Sequence, residues 1–383
     1  MSGAGSPGGT DSPDADPDDT GAATDGDDPG TDPGDPGADP RVERLREFAV
    51  RYQVPIGLLL LVLLLRPVLD QPFVLGFGQV ASTMLIWMLF VGSVSFLFGF
   101  SGLLSFGHAM FLGMGVYGAA IGVSQFDVPY LLAAPVGILT AGVVAYVIGR
   151  FIVQKGEIYF ALLTLAFAQA VEFVVNRDPW GLTGGSNGLN RNTLPAWIES
   201  YRGQMLVDLG VAQVDWYWMV SAAFVVAMLG LWQVLRSPFG RSLVAVRDNA
   251  ALARAMGVDV RRYRLAAFTM SGAFAGLAGA LLAINNGGAA IEDLSVVTSG
   301  DAVLMAVLGG VRFYAGPIAG TFVWMFAEQY LTDLSGIFEY WHFFLGALIV
   351  VIVVVSPRDG VWGAVRTVAG RVAARVRGEG VSG

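Results

Sequence analysis

Apolar runs broken by charges or turn residues recur near residues 54–69, 74–98, 103–124, 129–149, 158–175, 215–235, 264–284, 299–311, 315–332 and 341–356. A helix needs about 20 mostly apolar residues to cross a bilayer, and most of these runs approach that length. The pattern predicts an all-α fold, a polytopic membrane helical bundle with about 8–10 transmembrane spans, some of them broken or re-entrant. The 299–311 run is too short for an ordinary span at about 1.5 Å per residue. It reads as a broken helix, or as the end of one reaching back toward Ile291.

Composition supports a membrane chain: 54% of the 383 residues are hydrophobic and 14% charged, against about a quarter charged in soluble domains. The net charge of -8 divides by position. Residues 1–40 hold eleven Asp and no Lys or Arg, which leaves 20 acidic against 23 basic residues elsewhere. This Gly- and Pro-rich segment lacks aromatic residues and cannot bury enough apolar surface to order itself. We therefore expect a disordered acidic tail over 1–46, a transmembrane body over 47–357 and a basic tail over 358–383. The first segment lacks the basic start and short apolar stretch of a signal peptide. Acidic residues with Arg in place of nearly all Lys also suit a salt-rich cytoplasm.

Orientation follows from the basic residues, which concentrate in short cytoplasmic loops. Segment 236–264 carries seven arginines against Asp248 and Asp259, and is expected to be cytoplasmic. Segment 177–213 balances Arg177, Arg191 and Arg202 against Asp178, Glu199 and Asp208, and is expected outside. Arg41, Arg44, Arg46 and Arg51 precede the first run; Arg358, Arg366, Arg371, Arg375 and Arg377 follow the last. Both termini are then cytoplasmic in a multi-pass protein of a prokaryotic cell membrane, and the number of crossings is even. Arg358–Arg377 reads either as an amphipathic helix on the anionic leaflet or as a plain basic flank.

Several chemistries are excluded. With no cysteine there is no disulfide, thiolate zinc site or cysteine nucleophile. His108 and His342 are too far apart for a zinc-protease helix, and the single lysine, Lys155, follows Gln154, so no phosphate-binding loop exists. Any ATP and Mg must therefore bind other chains. His108, Glu172, Asp301 and Glu328 lie in or beside apolar runs, where ionisable groups are expensive. The carboxylates read as proton-relay groups or as span ends in water. His108 reads as a neutral ring bonded to a nearby backbone carbonyl, or as a group facing a cavity.

One stretch concentrates glycine: Gly99, Gly102, Gly107, Gly113, Gly115, Gly118 and Gly122, with Ser105, His108 and Phe111 among them. Irregular backbone within a membrane survives only where protein or a watery cavity surrounds it. Small residues four apart let helices meet closely, as at Gly118/Gly122, Gly272/Gly276 and Ala275/Gly279. Segment 235–260 holds a second pattern. Ser237-Pro238 starts a short amphipathic helix with Val244, Ala245, Leu252, Ala255 and Met256 on its apolar side, Arg247 and Asn249 polar, and Gly257 as the stop. Such a helix suits docking in a partner's groove; a merely basic inside loop is the plainer reading.

These residues resemble the permease subunits of branched-chain amino-acid ABC transporters. The loop is similar to that family's S-x-F-G-R-A-L-x-A-I-R-E-N-E-x-A-A-x-A-x-G at Ser237, Phe239, Gly240, Arg241, Ala245, Arg247, Asn249 and Gly257, with Asp248 and Ala250 where Glu is usual. Gly99, Gly102, Ser105, Gly107, His108, Phe111, Gly113 and Gly115 match its glycine motif. Tyr159–Gln169, followed by Thr183, Gly184, Gly185, Asn187 and Gly188, resembles the second of its two permease types. Gly309–Gly320 resembles a further turn motif, with Arg312 and Phe313 departing from it.

The resemblance implies one of two membrane subunits of an importer, paired with a second permease subunit. Two cytoplasmic ATPase subunits and an external substrate-binding protein complete it, with lipid and no nucleic acid as surroundings. It implies that Phe239 anchors in the ATPase groove, with Arg241 and Arg247 pairing acidic groups there. The Thr183–Gly188 loop either receives the binding protein or forms a glycine turn. Competing readings are a permease for ribose-type sugars, urea or short amides, a proton-coupled secondary transporter using Asp301 and Glu328, and a membrane scaffold.

Overall fold

The computed structural model describes residues 40–70, 80–126, 130–189, 198–201, 204–208, 213–333 and 360–367, with isolated positions from 343 to 354. The tail before residue 40, most of the 341–356 run, Arg191, Arg202, His342, Arg358, Arg371, Arg375 and Arg377 lie outside the described residues. The chain divides into residues 1–53 and 54–383. In the first unit the described part is the beginning of helix α1 (Pro40–Leu69), which already covers positions 40–46.

The second unit is a helical bundle. After the rest of α1 come α2 (Ala81–Ser95), α3 (Ala109–Phe126), α4 (Tyr130–Ile152), α5 (Glu157–Arg177), α6 (Trp216–Arg236), α7 (Pro238–Asp248), α8 (Ala250–Ala255), α9 (Val260–Asn286), α10 (Val296–Gly309) and α11 (Gly316–Asp333). Among the described residues, six helices are long and apolar enough to cross a membrane: Ala81–Phe100, Ala109–Phe126, Leu132–Ile152, Glu157–Arg177, Trp216–Arg236 and Val260–Asn286. The runs at 54–69 and 299–311 correspond to shorter apolar helices, Gln53–Leu69 and Val296–Gly309. The latter begins after a separate 3-10 turn, Ile291–Leu294.

The helical expectation needs one addition. Between α5 and α6, strands β1 (Ile198–Tyr201), β2 (Gln204–Asp208) and β3 (Gln213–Asp215) form an antiparallel sheet in the order β1-β2-β3. Ile198 pairs with Val207 and Leu206 with Asp215. Short strands satisfy their backbone groups by pairing, and no apolar periodicity announced them. β3 runs directly into α6, whose cap is Asp215: its Oδ1 accepts from Tyr217 N at 3.0 Å. Asp215 also pairs with Arg66 of α1, and Tyr217 donates its hydroxyl to Val62 O at 2.5 Å.

The core centres on α3, α4 and α9. Gly272 and Gly276 of α9 each face an alanine of α4: an added Cβ meets Ala145 and Ala141 at 2.4 Å. Gly279 turns toward α3, where a Cβ meets Leu112 O at 2.0 Å. The pairs at four-residue spacing therefore face different neighbours, and the backbones approach within distances that exclude a side chain.

Candidate functional site: a broken-helix core and an arginine loop

α2 does not end cleanly. Beyond Ser95 the helix continues as a π-helical turn over Phe96–Phe100, and Ser101 donates to Leu97 O at 2.5 Å. Gly102 closes the turn at φ 74° and donates to Phe98 O. The chain then runs without helix through Ser105, turns at Phe106–His108 and restarts as α3. Single π turns of this kind mark places where a helix is interrupted for a purpose other than length.

His108 sits at the restart, fully buried. Its Nε2 lies 3.2 Å from Ser93 Oγ on α2 and 3.1 Å from Ser271 Oγ on α9. Both hydroxyls already donate their hydrogen, Ser93 to Phe90 O and Ser271 to Ser93 O, each at 2.6 Å. A hydroxyl carries one hydrogen, so Nε2–H is the donor to both oxygens and the ring is the Nε2–H tautomer. His108 Nδ1 has no partner among the described residues. Phe90 and Phe111 flank the ring at centroid distances of 6.0 and 5.3 Å. Ala109 N, an otherwise orphaned donor of the first α3 turn, reaches Ser299 Oγ of α10 at 2.8 Å. Three helices, α2, α9 and α10, thus meet the start of α3 through its histidine ring and its first backbone donor. The expected backbone-carbonyl partner is replaced by two serines, because the interrupted α2–α3 backbone brings the ring between two helices.

The remaining residues of the stretch surround this node. Gly107 lies against Thr164 O of α5, Gly113 against Leu294, and Gly115 against Gly276 O at a hypothetical Cβ distance of 2.3 Å. Ser105 is buried with its hydroxyl unpaired among the described residues. Gly99 packs on Val311 O of the α10–α11 turn.

The arginine loop is two helices instead of one. Asn249 adopts an extended backbone (φ −154°) that ends α7, and its side chain accepts from Ala251 N and Leu252 N, capping α8. An amide that can cap in this way competes with helix continuation. Ser237 caps α7, accepting from Gly240 N at 3.3 Å, with Pro238 in the first turn. Gly240 is pressed against the carbonyls of Val234 and Leu235. Gly257, at φ 87°, ends α8. Leu243, Val246 and Ala253 point inward, whereas Ala245 is exposed.

Phe239 and Arg247 each make a contact within the chain. Phe239 is half-buried and stacks on Tyr263 of α9, centroids 5.2 Å apart at 11°, because the turn at Ser237-Pro238 folds α7 back over the start of α9. Arg247 donates through NH1 to Gly99 O at 2.5 Å and through Nε to Asp248 at 2.9 Å. It thereby ties the loop to the π-helical end of α2. The outward apolar side chains are Leu252 and Met256, 58% and 77% exposed; Arg241, Arg254, Arg261 and Arg262 of the same segment are exposed as well.

The glycine loop after α5 is a self-contained turn. Asp178, in the left-handed region at φ 47°, accepts from Leu182 N, Thr183 N and Gly184 N. These backbone donors, Thr183 first, hold its carboxyl below the usual carboxylate range. Thr183 donates to Val175 O at 2.7 Å, and Gly185–Asn187 form one 3-10 turn. Gly188 precedes a bridge between Leu189 and Ala289, which pins the loop to the chain beyond α9. Asp293, in the 3-10 turn after α9, is raised to about 6 by burial. Sequence reading missed Ser93, Ser271, Ser299 and Asp178; hydroxyls inside apolar runs were the available signal for the first three.

A many-helix membrane bundle with an interrupted, glycine-walled interior and a basic two-helix loop at one end has the architecture of a transport subunit. The family described as "Branched-chain amino acid transport system / permease component" matches residues 76–353, and the chain belongs to it. The high-affinity branched-chain amino acid transport system permease protein LivM of Escherichia coli is 26% identical over 318 residues, 78% of this chain and 74% of that protein. The Salmonella typhimurium protein of the same description is 25% identical over 304 residues, 75% of this chain and 71% of its own. The autoinducer 2 import system permease protein LsrC of Klebsiella pneumoniae is 30% identical over 190 residues, 45% of this chain and 53% of its own. No solved structure matches the chain.

Proposed function

We propose that this permease is one of two membrane subunits of an ATP-driven importer of branched-chain amino acids. Two cytoplasmic ATPase subunits hold ATP and Mg, and an external binding protein delivers the solute. The family match over residues 76–353 carries this reading. The arginine loop is cytoplasmic, as are both termini, in accord with the distribution of arginines. The ATPase docks on Leu252 and Met256, with Arg241 and Arg254 pairing its acidic rim. Phe239 supports that surface from beneath through Tyr263.

Nucleotide can drive transport only by binding two conformations of the assembly unequally. Closure of the ATPase pair displaces α7 and α8, and Arg247 passes the displacement to Gly99 and hence to the break between α2 and α3. The test is ATP hydrolysis by the chain with its ATPase and partner permease in liposomes, with and without leucine-loaded binding protein. Stimulation by the loaded protein, accompanied by leucine uptake, is expected. Uptake that follows a proton gradient without any ATPase would overturn the reading and direct attention to Asp301 and Glu328.

A further inference from the structure

Among the six long apolar helices of the described residues, α5 is the least covered by its own chain: 28% of its apolar window is buried, against 33% for α4 and α6 and 72% for α9. Phe160, Ala161, Thr164, Ala168 and Val175 point inward. The outward stripe includes Leu162 and Phe173, but it is not uniformly apolar. Gln169 and Asn176 are exposed and Glu172 half-buried. Spacings of three and four residues put these three on one side of the helix. Gln169 Nε2 donates to Glu172 Oε2 at 2.6 Å, a bond that holds the carboxylate at a set rotamer.

Depth makes this face informative. At about 1.5 Å per residue, Gln169 lies about 12 Å and Glu172 about 7.5 Å below Arg177 at the end of the span. Half the hydrocarbon thickness is about 15 Å. Helical side chains lean toward the N-terminus, which carries both groups deeper and away from the nearer surface. Neither is long enough to reach the interface as Lys or Arg does. A carboxylate facing hydrocarbon there is expensive, and such groups mark water-filled paths.

The opposite side of α5 is loosely backed. A cavity of about 600 Å³ separates Ala170, Val171 and Val174 from Tyr117 and Ile121 of α3 and Val136 of α4. α5 thus has a polar stripe on one side and an open apolar groove on another.

We infer that the Gln169–Glu172–Asn176 face of α5 borders the aqueous solute path, and that the Glu172 carboxylate, positioned by Gln169, receives a solute's ammonium group while Leu162 and Phe173 meet its apolar part. The inference rests on the importer reading for the identity of the opposite wall, the second permease subunit. Because the chain has no cysteine, single-cysteine variants report water access directly. Gln169→Cys is compared with Leu139→Cys, on an exposed apolar position of α4, in the liposome-reconstituted assembly with cysteine-free partners. The probe is 2-(trimethylammonium)ethyl methanethiosulfonate, which needs thiolate and hence water, and modification is read by mass.

Gln169→Cys is expected to react at least about tenfold faster than Leu139→Cys, because only a hydrated position forms thiolate, and leucine is expected to slow it. Labelling no faster than at Leu139→Cys, where the unsubstituted assembly imports leucine on ATP, overturns the inference and leaves the importer reading standing. Fast labelling of Gln169→Cys, with no ATP-dependent leucine uptake by the unsubstituted assembly, upholds the aqueous face and sinks the importer reading. Glu172→Gln is expected to raise the leucine KM about tenfold, the loss of one ionic contact, with kcat changed far less. An unchanged KM removes Glu172 from the path.

Discussion

The His108 node and the arginine loop both rest on an interrupted helix, but the interruptions are finished in opposite ways. Around His108 the break is turned inward: the ring, two serine hydroxyls and the first donor of α3 find partners on α2, α9 and α10. At Asn249 the break is closed locally by an amide cap, and the helix beyond it leaves Leu252 and Met256 exposed among arginines. An inward break joins elements of one chain. An outward break, capped by its own residue and presenting unburied apolar surface, is suited to holding another chain. The contrast separates polar groups that hold the fold from groups available to a partner, although both regions are glycine-punctuated and polar in a hydrophobic sequence.

Substituting glycine in the two regions gives the sharpest test. Gly107→Leu must displace Thr164 O, 2.0 Å from the new Cβ; overpacking of this kind costs about 1–3 kcal/mol. Folded, monodisperse protein recovered from membranes is expected to fall about tenfold or further, consistent with that cost. Gly257→Ala has open space around it and is strained only through φ 87°, about 1 kcal/mol, so near-normal yield is expected. Equal losses for the two would erase the distinction.

Next in size is the partner surface. Leu252→Asp combined with Met256→Asp is expected to weaken ATPase binding about 30-fold or more, corresponding to about 2 kcal/mol for exposed anchors, with an unchanged melting temperature. Phe239→Ala is expected to do the reverse, lowering the melting temperature through loss of the Tyr263 stack while retaining measurable binding. If Phe239→Ala abolishes binding without affecting stability, the residue belongs on the docking face after all.

For the inward break, His108→Ala removes the donor to Ser93 and Ser271 and leaves a void, at a cost of about 1–3 kcal/mol, read as a lowered melting temperature in detergent. His108→Gln, which restores an N–H donor, is expected to recover part of it. The smallest effect concerns Asp293. Its carboxyl is raised to about 6 by burial, with the Ala290 amide opposing and Glu292 adding to the shift. A raised acid favours the protonated folded form. This stabilisation is therefore complete below the ordinary carboxylate range and is lost as pH rises through about 6. Melting is expected to be lower at pH 7 than at pH 5 by an amount on the order of 1 kcal/mol, and Asp293→Asn to flatten the difference.

Much of this organisation was legible in one dimension. The spans near 81–100, 109–126 and 260–286 follow from apolar length, and the ends of the arginine loop from Ser237-Pro238 and Gly257, whose effects are local. The break at Asn249 was not read, since an amide can continue a helix or cap the next one. The sheet between α5 and α6 escaped because its pairing carries no strong apolar alternation.

The sequence by itself determined the helical membrane class, the family and the residues that punctuate it, because hydrophobicity, helix caps and turn chemistry act over a few positions. Only the tertiary structure decided what each punctuation serves. Ser271 meets His108 across 163 positions and Arg247 meets Gly99 across 148, while Phe239 turns inward because Tyr263 comes to lie beneath it. Burial and hydrogen-bond partnership depend on which distant segments fold together, and that information has no period along the chain.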